Sequence, residues 1–145
     1  MSLLFSRQCQ YALQAVSYLA LQNNGKPTSI KELTARLKIP YYFLGKILQK
    51  LVQKGILVSH KGNRGGFALA KPPENISYRD IIESIDGSRF EHYCAMGFTE
   101  CSSDSPCALH DQWQKSRTEL YNLLAGKNIA AMAKAMKKPE YRLVK

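Results

Sequence analysis

Residues 29–69 read SIKELTARLKIPYYFLGKILQKLVQKGILVSHKGNRGGFAL, and this stretch decides the fold. Ser29 stands ahead of an amphipathic segment, residues 30–37, with Glu32 three positions on, the pattern of an N-capped helix. Lys38-Ile39-Pro40 is a tight connection. Pro40 suits the first turn of the next helix, where its missing N–H would have had no intrahelical partner. That helix runs to about Lys54. Leu44, Ile47, Leu48 and Leu51 make its buried stripe; Lys46, Gln49, Lys50, Gln53 and Lys54 lie mostly off it, and Gly55 stops it. A short strand over 56–60, a glycine-rich turn over 61–66 and a return strand over 67–70 complete the stretch. Helix, turn, basic helix and basic hairpin in this order predict a winged helix-turn-helix. On such a head Tyr41, Tyr42, Lys46 and Lys50 are expected to face the major groove and its phosphates, and Ser29 and Lys31 the sugar-phosphate backbone. Lys61 and Arg64 at the wing tip suit the negative potential of the minor groove. The wing glycines supply positive φ and let the backbone approach DNA.

Outward from this stretch the pattern stays helical. In residues 5–22, Cys9, Ala12, Leu13, Val16, Leu19 and Ala20 recur at helical spacing, and Asn23-Asn24-Gly25-Lys26-Pro27 ends the run. Pro72-Pro73 ends the return strand. Ile76-Ser77 leads into a helix over 78–85, closed by Asp86-Gly87. Residues 88–105 show no periodicity and read as a long, functional loop. Pro106 opens a long helix with Ser105 as its N-cap, ending at Gly126. Leu109, Trp113, Leu120, Leu123 and Leu124 form a coiled-coil-like seam on it, suited to its own copy in a dimer or to the chain's own core. Asn128 caps a last helix over 129–136, and the tail from Lys137 to Lys145 is polar and loose. The expected fold is mainly α with a small β wing: a winged helix-turn-helix plus a long C-terminal dimerisation helix. Within one compact chain, residues 1–73 make the DNA-binding head and residues 74–145 the sensing loop and dimerisation helices.

Charge sorts the same way. The 145 residues carry 21 Lys and Arg against 11 Asp and Glu, a net of +10. Residues 1–72 hold 11 of the basic groups and one acid, Glu32, so the entire excess lies in the first half. That asymmetry points to a polyanion met by one half only. No Gly-x-x-x-x-Gly-Lys-Ser/Thr cradle occurs, which argues against nucleotide binding. No nucleophilic triad or paired-carboxylate constellation emerges either, so an enzyme is not expected. No apolar run approaches the roughly 18–20 residues that span a bilayer. Met1-Ser2-Leu3-Leu4-Phe5 is not a signal peptide. The reading is a cytoplasmic protein with no membrane partner and reduced thiols.

Four cysteines remain. Cys9 lies on the apolar face of the first helix and reads as a buried free thiol. The others follow Cys94-x6-Cys101-x5-Cys107-x2-His110. Gaps of six and five are loose for structural zinc, which favours Cys-x2–4-Cys. Three thiolates on a flexible loop can instead wrap a larger object, such as an iron–sulfur cluster. Cys107, placed in the first turn of the long helix, would have its thiolate favoured by the helix dipole. His110, three residues on, is the nearest candidate fourth ligand. A cluster-free regulator using thiol oxidation or zinc stays open beside this reading.

These motifs together resemble the Rrf2 family of bacterial transcriptional regulators over nearly the whole chain. The resemblance is carried by Tyr11-Ala12-Leu13, Ile39-Pro40-Tyr41-Tyr42-Phe43-Leu44, Gly62-Asn63-Arg64-Gly65-Gly66-Phe67, Ile81-Ile82-Glu83-Ser84-Ile85-Asp86-Gly87 and the three-cysteine loop. It implies a homodimer held by the long helix on a pseudo-palindromic double-stranded DNA operator. It also implies Cys94, Cys101 and Cys107 as ligands of a cluster that senses cluster status, iron, redox state or nitric oxide. Cys107-x2-His110 resembles the branch regulating iron–sulfur cluster assembly, where a His completes a 2Fe–2S site; a 4Fe–4S cluster is the alternative. In nitric-oxide-sensing and redox-sensing relatives an acidic residue of the first helix completes the site. Gln10 stands there, with Cys9 beside it as another option. Gly45 replaces a Glu that helps the cluster-assembly regulators choose between operators, so their operator preferences do not transfer.

Overall fold

The computed structural model describes residues 4–22, 25–99, 101–138 and 140. Asn23 and Asn24 of the first turn, and most of the tail beyond Lys138, lie outside the described residues. The chain forms α1 (Arg7–Leu21), α2 (Ile30–Leu37), α3 (Tyr41–Gln53), β1 (Leu57–His60) and β2 (Gly66–Leu69). A 3-10 turn (Pro73–Asn75) follows, then α4 (Tyr78–Asp86), α5 (Arg89–His92), α6 (His110–Gly126) and α7 (Ile129–Ala135).

Helix starts follow local chemistry. Ser6 Oγ accepts from the Cys9 amide, Ser29 Oγ from the Glu32 amide and Asn128 Oδ1 from the Ala131 amide. Ser77 and Asp80 close a reciprocal capping box on α4. Glu32 does not reach back in the same way; its carboxylate accepts from the Tyr18 hydroxyl at 3.0 Å and ties α2 to α1. Gly87, at φ 67°, caps α4 at its C-terminal end.

α1 is the hub. It packs against α3, α4, α7 and β2, and Cys9, Ala12, Ala15 and Val16 along it are wholly buried. Leu33, Leu44, Leu48 and Leu51 from the first half and Ile76, Ile81 and Ile129 from the second join the same core.

The wing is a two-stranded antiparallel hairpin in which Leu57 pairs with Leu69 and His60 with Gly66. A third segment joins it. The Thr28 amide donates to the Phe67 carbonyl at 2.9 Å, and the Phe67 amide to the Thr28 carbonyl at 2.8 Å. A Cβ on Gly66 would collide with the Thr28 carbonyl, and one on Gly65 with the His60 carbonyl. Gly65 and Gly66 thus also serve an approach of the chain to itself, while Gly62 and Gly66 take the positive φ expected of the wing.

Two boundaries differ from the sequence expectation. A short helix, α5, lies inside the stretch read as loop; it buries Phe90, whose ring meets Phe5 at 5.5 Å. And α6 begins at His110, not at Pro106 under a Ser105 cap. The His110 amide closes a tight turn on the Cys107 carbonyl at 3.0 Å, and Leu109 stands at the cap position with no side-chain bond. Cys107 thus precedes the helix, and the first-turn argument for its thiolate does not apply.

α6 spans 17 residues, yet His110 is its one buried residue. On one side it is held by Arg79 over the Tyr121 ring at 4.7 Å and by Trp113 and Arg117, which both donate to the Tyr93 carbonyl. Leu123 is 54% exposed on it. No helix among the described residues is long and apolar enough to cross a membrane.

Two glycines should respond oppositely to alanine. Gly66→Ala is expected to cost roughly 2 kcal/mol or more, because the added carbon needs the space of a paired backbone carbonyl. Gly45→Ala should stabilise by about 0.5–1 kcal/mol: the residue sits inside α3, and its new Cβ would lie 3.6 Å from Ile30 Cδ1, an ordinary contact. Denaturant unfolding of both variants checks the pair; shifts of the same sign would contradict it.

Candidate functional site

The first candidate surface is α3. Its start exposes Tyr41, Tyr42 and Phe43, at 55%, 83% and 56%. The two tyrosine rings meet edge-on, 6.1 Å apart. Tyr42, Lys46, Gln49 and Gln53 recur at three- and four-residue steps along one exposed helical face. Lys31 on α2 and Lys61 and Arg64 on the wing turn are exposed as well. Ser29 is partly buried and spends its hydroxyl on the α2 cap.

Lys50 is the exception. Its Nζ donates to the Ile85 carbonyl at 3.0 Å, at the C-terminal end of α4. The unpaired carbonyls of a helix end attract a cation, and Lys50 is close enough to answer. Its charge therefore rests on that carbonyl, whereas Lys46 on the same helix is exposed. Phe43, beside Tyr41 and Tyr42, is the exposed apolar residue that the sequence expectation did not single out. It falls outside the Leu44, Ile47, Leu48 and Leu51 stripe, and an apolar residue off the stripe on a basic helix was the available signal.

The second candidate is a cavity of about 590 Å³ in the 88–109 segment and the start of α6. Cys94, Cys101, Cys107 and His110 all line it, with Phe98 at its mouth. Cys94 is 3% exposed and Cys101 and Cys107 are half-buried. His110 is buried, with Nδ1 3.4 Å from Cys101 Sγ and Nε2 3.4 Å from Ser103 Oγ. Among the described residues, no three His, Cys, Asp or Glu side chains converge tightly enough to hold one metal ion. The donors share a wall, not a point.

Local turns build that wall. The Gly97 amide donates to the Cys94 carbonyl at 3.0 Å, and Gly97 takes φ 80°, so the chain curls around the sulfur. Burial pushes the Cys94 thiol up. The Phe98 and Met96 amides, the Cys107 side chain and the Gly97 amide together outweigh this and hold it below its ordinary value. Just before it, the Tyr93 carbonyl accepts from Trp113 Nε1 at 2.7 Å and Arg117 Nη1 at 2.9 Å, clamping the loop to α6.

Cys9 takes no part in the cavity lining. It is wholly buried in the core, and burial together with the Asp86 carboxylate pushes its thiol up to about 12.

A family model described as Rrf2, iron-dependent transcriptional regulator, matches residues 5–135. A protein of Aquifex aeolicus described as an HTH-type transcriptional regulator is 36% identical over 129 residues, which is 88% of this chain and 89% of that one. The fold resembles that of CymR, the global cysteine regulator of B. subtilis, with a TM-score of 0.77 and 23% identity over 90% of this chain and 96% of that one. It also resembles T. potens IscR, with a TM-score of 0.76 and 23% identity over 94% of this chain and 90% of that one.

The thiols should react in two classes. In native protein stripped of metal, alkylating reagent at pH 8 is expected to modify Cys101 and Cys107 and to spare Cys9 until the chain unfolds. Peptide mass spectrometry reads this out. Because the folded chain raises Cys9 from 9.0 to about 12, the unfolded state loses that proton first. The stability Cys9 confers relative to Cys9→Ala should therefore be full below pH 9 and decline as pH rises toward 12. A difference independent of pH would contradict the assignment.

Proposed function

The chain belongs to the Rrf2 family of transcriptional regulators and binds DNA through its helix-turn-helix head; from that premise we propose that it acts as a homodimer whose operator affinity is set by an iron–sulfur cluster on Cys94, Cys101, Cys107 and His110. The observation that carries the proposal is the cavity. Three cysteines and a histidine line one space of about 590 Å³, without converging as the ligands of a single ion would. Soft thiolate donors around a wide space fit a cluster better than zinc. The mixed thiolate and imidazole set suits 2Fe–2S, with 4Fe–4S as the alternative. Bound there, the cluster would supply a centre sensitive to oxidant, iron supply and nitric oxide.

The chain's own residues do the rest. The amides around Cys94 favour its thiolate, and Ser103 lies within reach of the second nitrogen of His110. Tyr93, through Trp113 and Arg117, ties the cavity wall to α6. The exposed side of α6 is the surface assigned to the dimer seam, with Leu123 in it. Two copies present two basic heads to two half-sites of an operator, as a two-fold symmetric protein requires. In each head Tyr41, Tyr42 and Lys46 are assigned to the major groove, Lys31 to the backbone, and Lys61 and Arg64 to the minor groove.

A second reading rests on Cys94 and Cys107 lining the same cavity, with the Cys107 side chain among the groups that favour the Cys94 thiolate. Two thiols of one cavity can pass two electrons and two protons to an oxidant such as a peroxide and close to a disulfide without any cluster, and CymR, which this fold resembles, is a cysteine regulator. Iron and sulfide analysis of anaerobically isolated protein separates the two readings.

Cys101→Ala should abolish the visible absorbance of anaerobically isolated protein while far-ultraviolet circular dichroism stays that of the wild type. An unchanged visible spectrum in that variant would sink the cluster reading. Arg64→Ala should weaken operator binding and make its salt dependence shallower by about one released counterion. Equal salt slopes would remove Arg64 from the contact set.

A further inference from the structure

The two ends of the mechanism meet at two adjacent residues, Ile85 and Asp86. Ile85 lies in the last turn of α4, where helix carbonyls have no intrahelical donor. Lys50 of the recognition helix fills that vacancy at 3.0 Å. The next residue, Asp86, accepts from the Ser6 amide at 2.9 Å and from the Ser6 hydroxyl. The start of α1 and the last turn of α3 are thus both bonded to the end of α4, at adjacent residues. From there the chain runs directly to the cavity. Gly87, at φ 67°, turns it out of α4, and Phe90 of α5 is buried against Phe5. The Tyr93 carbonyl is clamped by Trp113 and Arg117, and Cys94 forms the cavity wall. On the other side, Lys46 lies one helical turn before Lys50, on the face with Tyr42 and Gln49.

We propose that Lys50 is a positioning residue, not a phosphate contact: its bond to the Ile85 carbonyl ties the recognition helix to the end of α4 and transmits the state of the cysteine loop to it. A lysine on the basic helix of a DNA-binding head would ordinarily extend into the groove. This one is only half-exposed and places its charge on a carbonyl of the element that leads to Cys94. The inference rests on the proposed function, in which the cluster at the cysteine loop sets operator affinity. An altered Cys94 wall displaces α5 and the end of α4, and the tether carries that displacement into α3. Without the tether, α3 keeps its core packing through Leu44, Leu48 and Leu51, its packing on α4 included, and follows the end of α4 less closely.

The test uses full-length protein, isolated anaerobically and after chelator stripping, with operator affinity measured over a salt series. Lys50→Met keeps the aliphatic stem and removes the charge; Lys50→Arg keeps a donor. The expected result for Lys50→Met is that the affinity ratio between the two states falls about fivefold toward unity, while the salt slope of the stripped protein stays that of the wild type. Lys50→Arg should keep both. A slope shallower by about one in Lys50→Met would make Lys50 a phosphate contact and overturn the proposal. So would a wild-type affinity ratio with no tether present. Hydrogen exchange of the wild type in both states needs no variant and covers a Lys50→Met that folds poorly. Amides of α3 and of the α4 end should change together, and an α4 end that changes while α3 does not overturns the tether. Wild-type protein with no chromophore, or with equal affinity in both states, sinks the cluster reading instead. The salt slope of Lys50→Met then still decides whether Lys50 touches phosphate.

Discussion

Burial of α1 from several sides at once is the constraint on which the rest depends. Arg7–Leu21 must contact α3 and β2 of the head and also α4 and α7 of the C-terminal half. Its buried residues make that feasible: Cys9, Ala12, Ala15 and Ala20 are small, so several elements can approach the helix axis closely. The polar bond that fixes its start is of the same kind. Asp86, from the end of α4, takes the Ser6 amide and hydroxyl, while Ser6 in turn caps α1 on the Cys9 amide. A head built around this helix cannot shift as a unit without disturbing α4, because one core holds both.

What was legible in the sequence is what local chemistry decides. Ser29 before an amphipathic run specifies α2 to the residue, since a cap and a periodic stripe are both near-neighbour effects. The α3 stripe and the hairpin around Gly62 to Gly66 are legible for the same reason. What was not legible depends on contacts distant in sequence. Lys50 has the spacing of an exposed lysine, and nothing nearby in the chain reveals that Ile85, 35 positions away, offers it a carbonyl. Gly66 reads as a flexible wing residue until Thr28 is seen to pair with Phe67 across it. The start of α6 was misplaced because Pro106 after Ser105 is a strong local signal. A turn closed by Cys107 and His110, which brings Cys101 beside the imidazole, takes the place of that first helical turn.

The four residues singled out as ligands are a middle case. Their spacing put them on one loop, and the fold gathers them around one cavity, but the means differ from those expected. Residues 90–114 contain no Lys or Arg, so no cation inside the loop favours a thiolate. At Cys94 that task falls to backbone amides donated by a turn whose Gly97 has positive φ. A turn of amides supplies partial positive charge at short range without adding a formal charge that DNA phosphate could compete for. The segregation of charge seen in the sequence, all excess in residues 1–72, is thereby compatible with an electropositive microenvironment inside the neutral half.

His110 joins these themes because it has two positions at once. It is the first residue of α6 and part of the cavity wall, and it is the one residue of that helix that is buried. Its imidazole faces Cys101 on one nitrogen and Ser103 on the other, so any rearrangement of the wall acts on the first turn of α6. The next anchors along the helix, Trp113 and Arg117, hold the carbonyl that precedes Cys94. A helix with so little burial of its own takes its direction from such few anchors. The cavity therefore has two mechanical outlets, one through α6 and one through Phe90 and the end of α4. The first leads to the surface assigned to the partner copy, and the second to the recognition helix. Under the proposed cluster reading, changes at the cysteines alter both the spacing of two heads and the seating of each, because α6 is anchored on the Tyr93 carbonyl and α5 joins that residue to the end of α4.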